Sequence, residues 1–298
     1  MISTTHPPPR VQGLDAALGG VRGTMATVDR YRTAVDTNAE GGDLGHHASP
    51  DLLVRHTVNY LLAADIAVRI DDDGPLLDVG SGVGVFSAWL ARRLTRPLHV
   101  VDHEPAVLQL TRRALVDVTT HADVTDAPLA AVVTAMEVLE HLRYIDQTAF
   151  VRALLDRVQP GGVLVCSTPD ERSYIGGWSG YAPHVGTLDP GSLRTLLHTA
   201  SGGLPLAVWR ISGPGFELGR LQKIGEPIAN RLWAATQSRM PALAHRMAGA
   251  VGSRRRVRSD VFDAGPPEGR FVVTSADDDT EVRGTGLLAA VFKPAADA

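Results

Sequence analysis

From Pro75 onward, short apolar runs alternate with stretches of helical periodicity, and this alternation constrains the fold more than any other feature of the chain. The runs LLDVG, LHVVD, AVVTAM and VLVCST have the length and composition of buried strands, and the segments between them have helix length. Because parallel strands need a helix-length crossover, the pattern predicts an α/β doubly wound core whose sheet is covered on both faces. Ligands bind such sheets outside the carboxyl ends of the strands. The loops that follow the strands are therefore where a functional site is expected.

The rest of the chain divides around this core. We predict an N-terminal arm and lid helix over residues 1–70, the α/β core over 71–212, a helical cap insertion over 213–282 and a final core strand and tail over 283–298. The first 50 residues show no sustained period, which indicates an arm without regular structure, whereas residues 51–68 have helical spacing. The insertion contains a helical stripe typical of core packing or of a homodimer contact, and a hairpin strand near RFVVTS. The stripe consists of Ile224, Ile228, Leu232 and Ala235.

Composition and charge exclude several classes of function. The 298 residues are 44% hydrophobic and 21% charged, which is typical of a soluble protein with a full core. A net charge of -4 disfavours nucleic acid as a partner, because phosphate backbones require a basic surface. No apolar run reaches about 18 residues and no apolar leader opens the chain, so we expect a cytoplasmic protein without membrane contact. The single Cys166 cannot form an internal disulfide and is typical of a small buried strand residue.

A glycine-rich turn follows the first predicted strand. The segment LLDVGSGVGVF has the spacing D-x-G-x-G-x-G, and glycines there let the backbone approach a ligand that a Cβ atom would obstruct. The acidic residue and the glycines are Asp78, Gly80, Gly82 and Gly84. A dinucleotide fingerprint would need a glycine at position 85 or 87, and Val85 and Ser87 stand there. The turn thus disfavours a nicotinamide cofactor.

Acidic residues end the next two predicted strands. Asp102 ends the second strand, where a carboxylate can accept hydrogen bonds from both ribose hydroxyls of a bound nucleoside. Asp123 follows the third strand, where it can meet the amino group of an adenine while Val124 packs on the ring. Asp123 can also be read as a plain turn carboxylate. Together with the glycine turn, the two positions indicate an adenosyl cofactor.

Residues 75–170 resemble the core of the class I S-adenosylmethionine-dependent methyltransferases. The resemblance is carried by LLDVGSGVG, VVDHEP and VQPGGVLVCSTP, and AVVTAMEVLEHL is similar to the ubiquinone-biosynthesis type O-methyltransferases. It implies a mostly parallel, seven-stranded Rossmann-like sheet. Two residues depart from the family pattern, His103 after the acidic strand end and Ala131 where an Asp commonly opens the fourth strand. The implied contacts to S-adenosylmethionine are Asp78, Gly80, Ser81, Gly82, Gly84, Asp102, His103, Asp123, Val124 and Met136.

The segment after the fourth strand is predicted to face the methyl acceptor. Its E-x-x-E-H string, Glu137, Glu140 and His141, resembles the metal site of the small-RNA 2′-O-methyltransferases, which a later histidine completes. Here that histidine is His184. The resemblance implies a divalent ion that lowers the pKa of a bound hydroxyl, with Mg²⁺ expected and Mn²⁺, Fe²⁺ or Zn²⁺ as alternatives. In metal-free relatives a histidine at this place orients the substrate or acts as a base, so His141 and His184 are also candidate catalytic groups.

The sequence therefore predicts an S-adenosylmethionine-dependent O-methyltransferase that acts on a hydroxyl of a small molecule. Methyl transfer is an in-line displacement, so the protein must mainly align the acceptor and remove its proton. Three alternatives stay open. The first is a metal-independent N-, C- or carboxyl-methyltransferase, the second is a noncatalytic cofactor-binding or scaffolding protein, and the third, which the charge disfavours, is an RNA methyltransferase.

Overall fold

A computed structural model describes residues 6–31, 50–174, 177–217, 268–276 and 286–296, together with the single positions 225, 228, 231, 232 and 235. One eight-stranded sheet with the order β3-β2-β1-β4-β5-β8-β6-β7 forms the centre of this part of the chain. The strands are β1 Leu76–Val79, β2 Leu98–Val101, β3 Val118–His121, β4 Ala130–Met136, β5 Val158–Pro169, β6 Leu206–Ser212, β7 Val272–Ser275 and β8 Gly286–Phe292.

The sheet is parallel from β3 to β5 and antiparallel from β5 to β7. β1 and β4 are neighbours, although the chain passes through β2 and β3 between them. The strand order reverses beside β1, and the crevice at the carboxyl ends of β1 and β4 is where such a sheet binds a ligand. The glycine turn after β1 lies at this crevice.

Six α-helices whose bounds lie within the described ranges cover the two faces of the sheet. They are α1 Leu14–Tyr31, α2 Pro50–Ala67, α3 Val85–Leu94, α4 Pro105–Ala114, α5 Tyr144–Arg157 and α6 Pro190–Ser201. The first four pack around one buried apolar cluster and the last two around another, on the opposite face. Local signals explain several helix starts: α4 and α6 have a proline in the first turn, and Asp189 and Ser192 form a capping box before α6.

The doubly wound α/β fold class predicted from the sequence is confirmed. The sheet has eight strands instead of seven, because β7 pairs with β6 and extends the antiparallel edge. α2 lies within one residue of the helical segment predicted over 51–68, and β8 lies inside the segment 283–298 where the final core strand is predicted. Cys166 is buried in β5, as expected. None of the described helices combines the length and the apolar character that a bilayer crossing requires.

The prediction that the first 50 residues lack regular structure is wrong for residues 14–31, whereas residues 6–13 have none. α1 is an 18-residue helix that buries Leu14, Leu18, Val21 and Val28 against α3, and its three glycines obscured this period in the sequence. Most of the predicted cap insertion lies outside the described residues. Its described positions 225, 228, 231, 232 and 235 are helical, and Ile228 and Leu232 are exposed. The predicted homodimer contact stays a prediction.

Candidate active site

The glycine turn between β1 and α3 adopts a backbone conformation that favours glycine at all three glycine positions of the D-x-G-x-G-x-G string. Gly80, Gly82 and Gly84 have φ values of 74°, 55° and 73°, in the left-handed region. Gly80 is exposed, and a Cβ atom added to it would lie 2.5 Å from Val138 Cγ2. The turn therefore lies against the segment that follows β4. α3 begins directly after Gly84, so its free N–H groups point toward the turn.

Asp78 supports this turn from below. The carboxylate is fully buried and accepts hydrogen bonds from Tyr60 Oη at 2.7 Å, from Thr134 Oγ1 at 2.6 Å and from Ser87 Oγ. Burial raises the pKa of Asp78, and the three hydroxyl donors act against that rise. Because three side chains already occupy its oxygens, Asp78 joins α2, α3 and β4 beneath the turn and does not line its open surface. Ser81 is also buried in the turn.

Asp102 lies at the carboxyl end of β2, beside the glycine turn. Its Oδ2 accepts a hydrogen bond from Gly82 N at 2.9 Å, and its Oδ1 accepts one from Glu104 N at 3.0 Å. The two bonds orient the carboxylate and leave each oxygen able to accept a further hydrogen bond. His103, by contrast, exposes 85% of its side chain.

The predicted adenine contacts are at the exposed end of the same crevice. Asp123 is exposed and accepts hydrogen bonds from Thr125 N at 2.8 Å and from Thr125 Oγ1 at 2.7 Å, and these bonds lower its pKa. Val124 is half-buried beside it. Met136 is buried at the end of β4. Asp123 therefore caps a turn, and this role leaves its Oδ2 available.

A three-residue cluster on the acceptor side brings together Glu140, His141 and His184. One potential ligand atom of each lies within 4.8 Å of the others. The two imidazole rings meet edge to face, with centroids 5.0 Å apart. Glu140 is 1% exposed, its Oε2 accepts a hydrogen bond from Thr168 Oγ1 at 2.9 Å, and its Oε1 is buried without a partner. Burial and the nearby Glu137 carboxylate raise the pKa of Glu140 well above its ordinary value.

Glu137 does not join this cluster, in contrast to the four-ligand set predicted from the sequence. Its carboxylate is paired with the guanidinium of Arg55 from α2 and accepts weaker hydrogen bonds from Asn59 Nδ2 at 3.3 Å and Ser167 Oγ at 3.2 Å. The backbone of Glu137 has a φ of 57°, which directs its side chain toward α2. Arg55 thus satisfies the charge that a metal ion was expected to satisfy.

A carboxylate that the sequence analysis missed lies behind His184. Glu171 Oε1 is 2.6 Å from His184 Nδ1, and Glu171 is 2% exposed. Burial alone would raise the pKa of Glu171, but hydrogen bonds from His184 and Ser179 hold it below its ordinary value. Two acidic residues directly after β5, in the string PDERS, are the signal in the sequence that could have identified it.

Aromatic side chains lie beside the cluster. The Tyr181 ring meets His184 edge to face at 4.9 Å, and Trp178 is half-buried with its indole N–H buried and unpartnered. The guanidinium of Arg231 lies 5.6 Å from the centroid of the Trp178 ring, so this side chain approaches the same mouth.

The family of the chain follows from a sequence comparison. Residues 46–202, just over half of the chain, match the family described as "Methyltransferase domain". The chain belongs to this family. The predicted enzyme class, an S-adenosylmethionine-dependent methyltransferase, is therefore confirmed. The finer likeness to ubiquinone-biosynthesis enzymes stays a prediction. No curated protein matches the chain by sequence.

Solved structures show the same fold. The plantazolicin methyltransferase BpumL in complex with SAH matches with a TM-score of 0.50 and 11% identity, over 95% of this chain and 100% of that one. An S-adenosylmethionine-dependent methyltransferase of Thermotoga maritima has a TM-score of 0.45 and 12% identity, over 80% and 90%. Phosphoethanolamine N-methyltransferase 2 of Haemonchus contortus has a TM-score of 0.42 and 12% identity, and the match covers 78% of this chain but only 52% of that enzyme. At these identities the likeness is one of fold alone.

In the methyltransferase, the predicted cofactor residues are all at the carboxyl ends of β1 to β4. The residues that sequence reasoning missed, Arg55, Asn59, Tyr60 and Glu171, reach the site from α2 and from the turn after β5. The residues that these four side chains contact are distant from them in the sequence, so no local spacing indicated the contacts.

Proposed function

We propose that the methyltransferase transfers a methyl group from S-adenosylmethionine to a hydroxyl of a small molecule that carries a second oxygen beside it, with a divalent cation at the acceptor site. The observation that carries the proposal is the cluster of one buried carboxylate and two imidazoles, Glu140, His141 and His184. Glu140 and His141 belong to the segment whose Val138 lies against Gly80 of the glycine turn, and the turn that carries His184 is hydrogen-bonded to that segment. An acceptor bound there would lie beside the cofactor.

The residues at the crevice fit an adenosyl cofactor. Gly80 is exposed at the crevice, and each oxygen of Asp102 retains a lone pair for a ribose hydroxyl. Asp123 and Val124 would hold the adenine, and Ser81, Gly82, Gly84, His103 and Met136 complete the proposed surroundings. The cofactor, when bound, supplies a methyl group on a positively charged sulfur. The protein itself aligns this methyl with the acceptor oxygen.

The acceptor side fits a divalent cation on the chemistry of its donors. Glu140 has a buried oxygen without a partner, and an ion would supply the missing positive charge. His184 uses Nδ1 toward Glu171, which leaves Nε2 for the ion, and His141 would be the third ligand. A cation held there would lower the pKa of a bound hydroxyl, and the vicinal oxygen would give it a second point of attachment. Glu137 is omitted from the proposed ligands because Arg55 holds its carboxylate.

Product analysis with isotopically labelled S-adenosylmethionine tests the proposal. The pure protein is incubated with a panel of vicinal diols and catechols, the corresponding single alcohols and phenols, and amines, each with and without EDTA. We expect labelled methyl ethers from the acceptors with two oxygens, and a rate that falls at least tenfold in EDTA. Labelled methylamines as the only products would contradict the O-transfer, and full activity in EDTA would contradict the cation. A protein that binds the cofactor and labels nothing in the panel would favour a scaffolding role.

A further inference from the structure

The turn that carries His184 is anchored to neighbouring segments by backbone and side-chain hydrogen bonds. Asp170 forms an isolated bridge with Leu188, which closes the base of the segment between them. Gly186 N donates a hydrogen bond to Glu140 O at 3.0 Å, and Gln147 Nε2 donates to Gly186 O at 2.6 Å. His184 is therefore held beside the segment that contains Glu140 and His141.

Glu171 has a fixed set of donors inside this turn. Its Oε2 accepts a hydrogen bond from the backbone N–H of Ser179, and its Oε1 accepts from Ser179 Oγ at 3.0 Å and from His184 Nδ1 at 2.6 Å. A backbone N–H can only donate, so an oxygen must occupy the Oε2 position.

We propose that Glu171 is a positioning residue that keeps the neutral imidazole of His184 in the form protonated on Nδ1, so that its Nε2 lone pair faces the acceptor cluster. A neutral imidazole has one donor and one acceptor nitrogen, and the group bonded to one nitrogen determines which is which. A carboxylate on Nδ1 leaves Nε2 free to accept a proton or to bind a cation. The inference rests on the proposed function only in placing His184 at the acceptor site.

The isosteric change Glu171→Gln tests this directly, because the surrounding donors permit only one orientation of the glutamine amide. The amide oxygen must face the backbone N–H of Ser179, so the amide NH₂ takes the Oε1 position and donates toward Ser179 Oγ and His184 Nδ1. His184 Nδ1 must then accept, and the proton moves to Nε2. The variant thus presents a donor to the acceptor cluster where the natural protein presents a lone pair.

Nitrogen-15 NMR of histidine-labelled protein measures this directly. The full chain is treated with EDTA and measured at a pH where imidazoles are neutral, and the His184 signals are assigned by their loss in His184→Gln. We expect the nitrogen-15 chemical shifts of an imidazole that is protonated on Nδ1. Glu171→Gln should show the Nε2–H form. The control Ser179→Ala removes the hydroxyl contacts to Glu171 and to the backbone N–H of Tyr181, keeps the Ser179 N–H that faces Glu171, and should keep the Nδ1–H form. An Nε2–H form of His184 in the natural protein would overturn the inference, whether or not Glu171→Gln folds.

Kinetics give the second readout. We expect Glu171→Gln to lower kcat by about 10²- to 10⁴-fold, the range seen when a catalytic histidine is held in the wrong form, with KM for S-adenosylmethionine unchanged. Ser179→Ala should stay within a few fold of the natural enzyme. Unchanged kcat in Glu171→Gln would also overturn the inference. The tautomer measurement requires no turnover, so it gives the same answer whether or not the protein transfers a methyl group to oxygen. Failure of the inference about Glu171 can therefore be distinguished from failure of the proposed O-transfer.

Discussion

At the scale of single residues, Gly80 is the point where the glycine turn, on the proposed cofactor side, lies against Val138 of the segment on the proposed acceptor side. Gly80→Ala adds a Cβ atom 2.5 Å from Val138 Cγ2 at a φ of 74°, so both strain and a clash oppose it. We expect a loss of about 1–3 kcal/mol in unfolding free energy and at least tenfold weaker binding of S-adenosylhomocysteine, measured by thermal unfolding and calorimetry. Gly161→Ala is the matched control, since its φ is 82° and its Cβ meets nothing within 4 Å. Equal cofactor affinity in both variants would contradict the role of Gly80.

His56 on α2 gives a pH-dependent contribution to stability. Burial, and then the Arg55 cation, lower its pKa to about 4 against the opposing effect of Glu137. The unfolded chain protonates this residue near its ordinary pKa of 6.5, so protons favour the unfolded state between pH 6.5 and 4. The unfolding free energy therefore has its full value with respect to His56 above pH 6.5. It falls by at most about 3 kcal/mol as the pH drops to 4. His56→Gln should lessen this fall in denaturant titrations, whereas His103→Gln, at an exposed site, should not. A parallel fall in all three proteins would rule out this contribution.

At the scale of elements, strand and helix positions in the core could be predicted because their periods are local. β8 is an uninterrupted apolar run, β6 is largely apolar, and α6 has apolar residues at helical spacing and a complete capping box. α1 could not be predicted, because Gly19, Gly20 and Gly23 read as helix breakers. In the folded chain Gly20 lies against α3, where an added Cβ would be 2.8 Å from Trp89 Cδ1. A packing requirement between two helices, which no local pattern contains, explains that glycine.

The burial of α1 leads to a stability prediction. Leu18→Ala removes a side chain that is 1% exposed in the cluster shared with α3, and we expect a loss of about 2–4 kcal/mol in unfolding free energy. Leu129→Ala makes the same chemical change at a residue that is 50% exposed and should cost under about 1 kcal/mol. Urea titrations of both variants measure the difference. A small loss at Leu18 would mean that α1 is not part of the cooperative core.

At the scale of the whole molecule, the sheet order explains which part of the site could be predicted. The glycine turn and Asp102 follow neighbouring parallel strands, so sequence reasoning could place them together. The pairing of Glu137 with Arg55 and of Glu171 with His184 joins residues 82 and 13 positions apart across different elements. Only the folded chain determines which carboxylate pairs with a cationic side chain and which keeps an oxygen available for a ligand. Glu137 and Glu140 therefore looked equivalent in the E-x-x-E-H string although their surroundings differ.

That difference predicts how the whole molecule responds to divalent cations. An ion at Glu140, His141 and His184 binds the folded chain and not the unfolded one, so the unfolding temperature should rise with the ion concentration. At one hundred times its Kd the ion should add about 2.7 kcal/mol to the unfolding free energy. Thermal unfolding is measured with Mg²⁺, Mn²⁺ or Zn²⁺ and again after EDTA. Glu140→Gln and His184→Gln should abolish the shift, whereas His103→Gln should retain it because that exposed side chain is outside the cluster. Glu137→Gln should also retain it, since Arg55 and not the ion holds that carboxylate. A shift lost in Glu137→Gln would restore the four-ligand site, and no shift with any of the three ions would remove the cation from the mechanism.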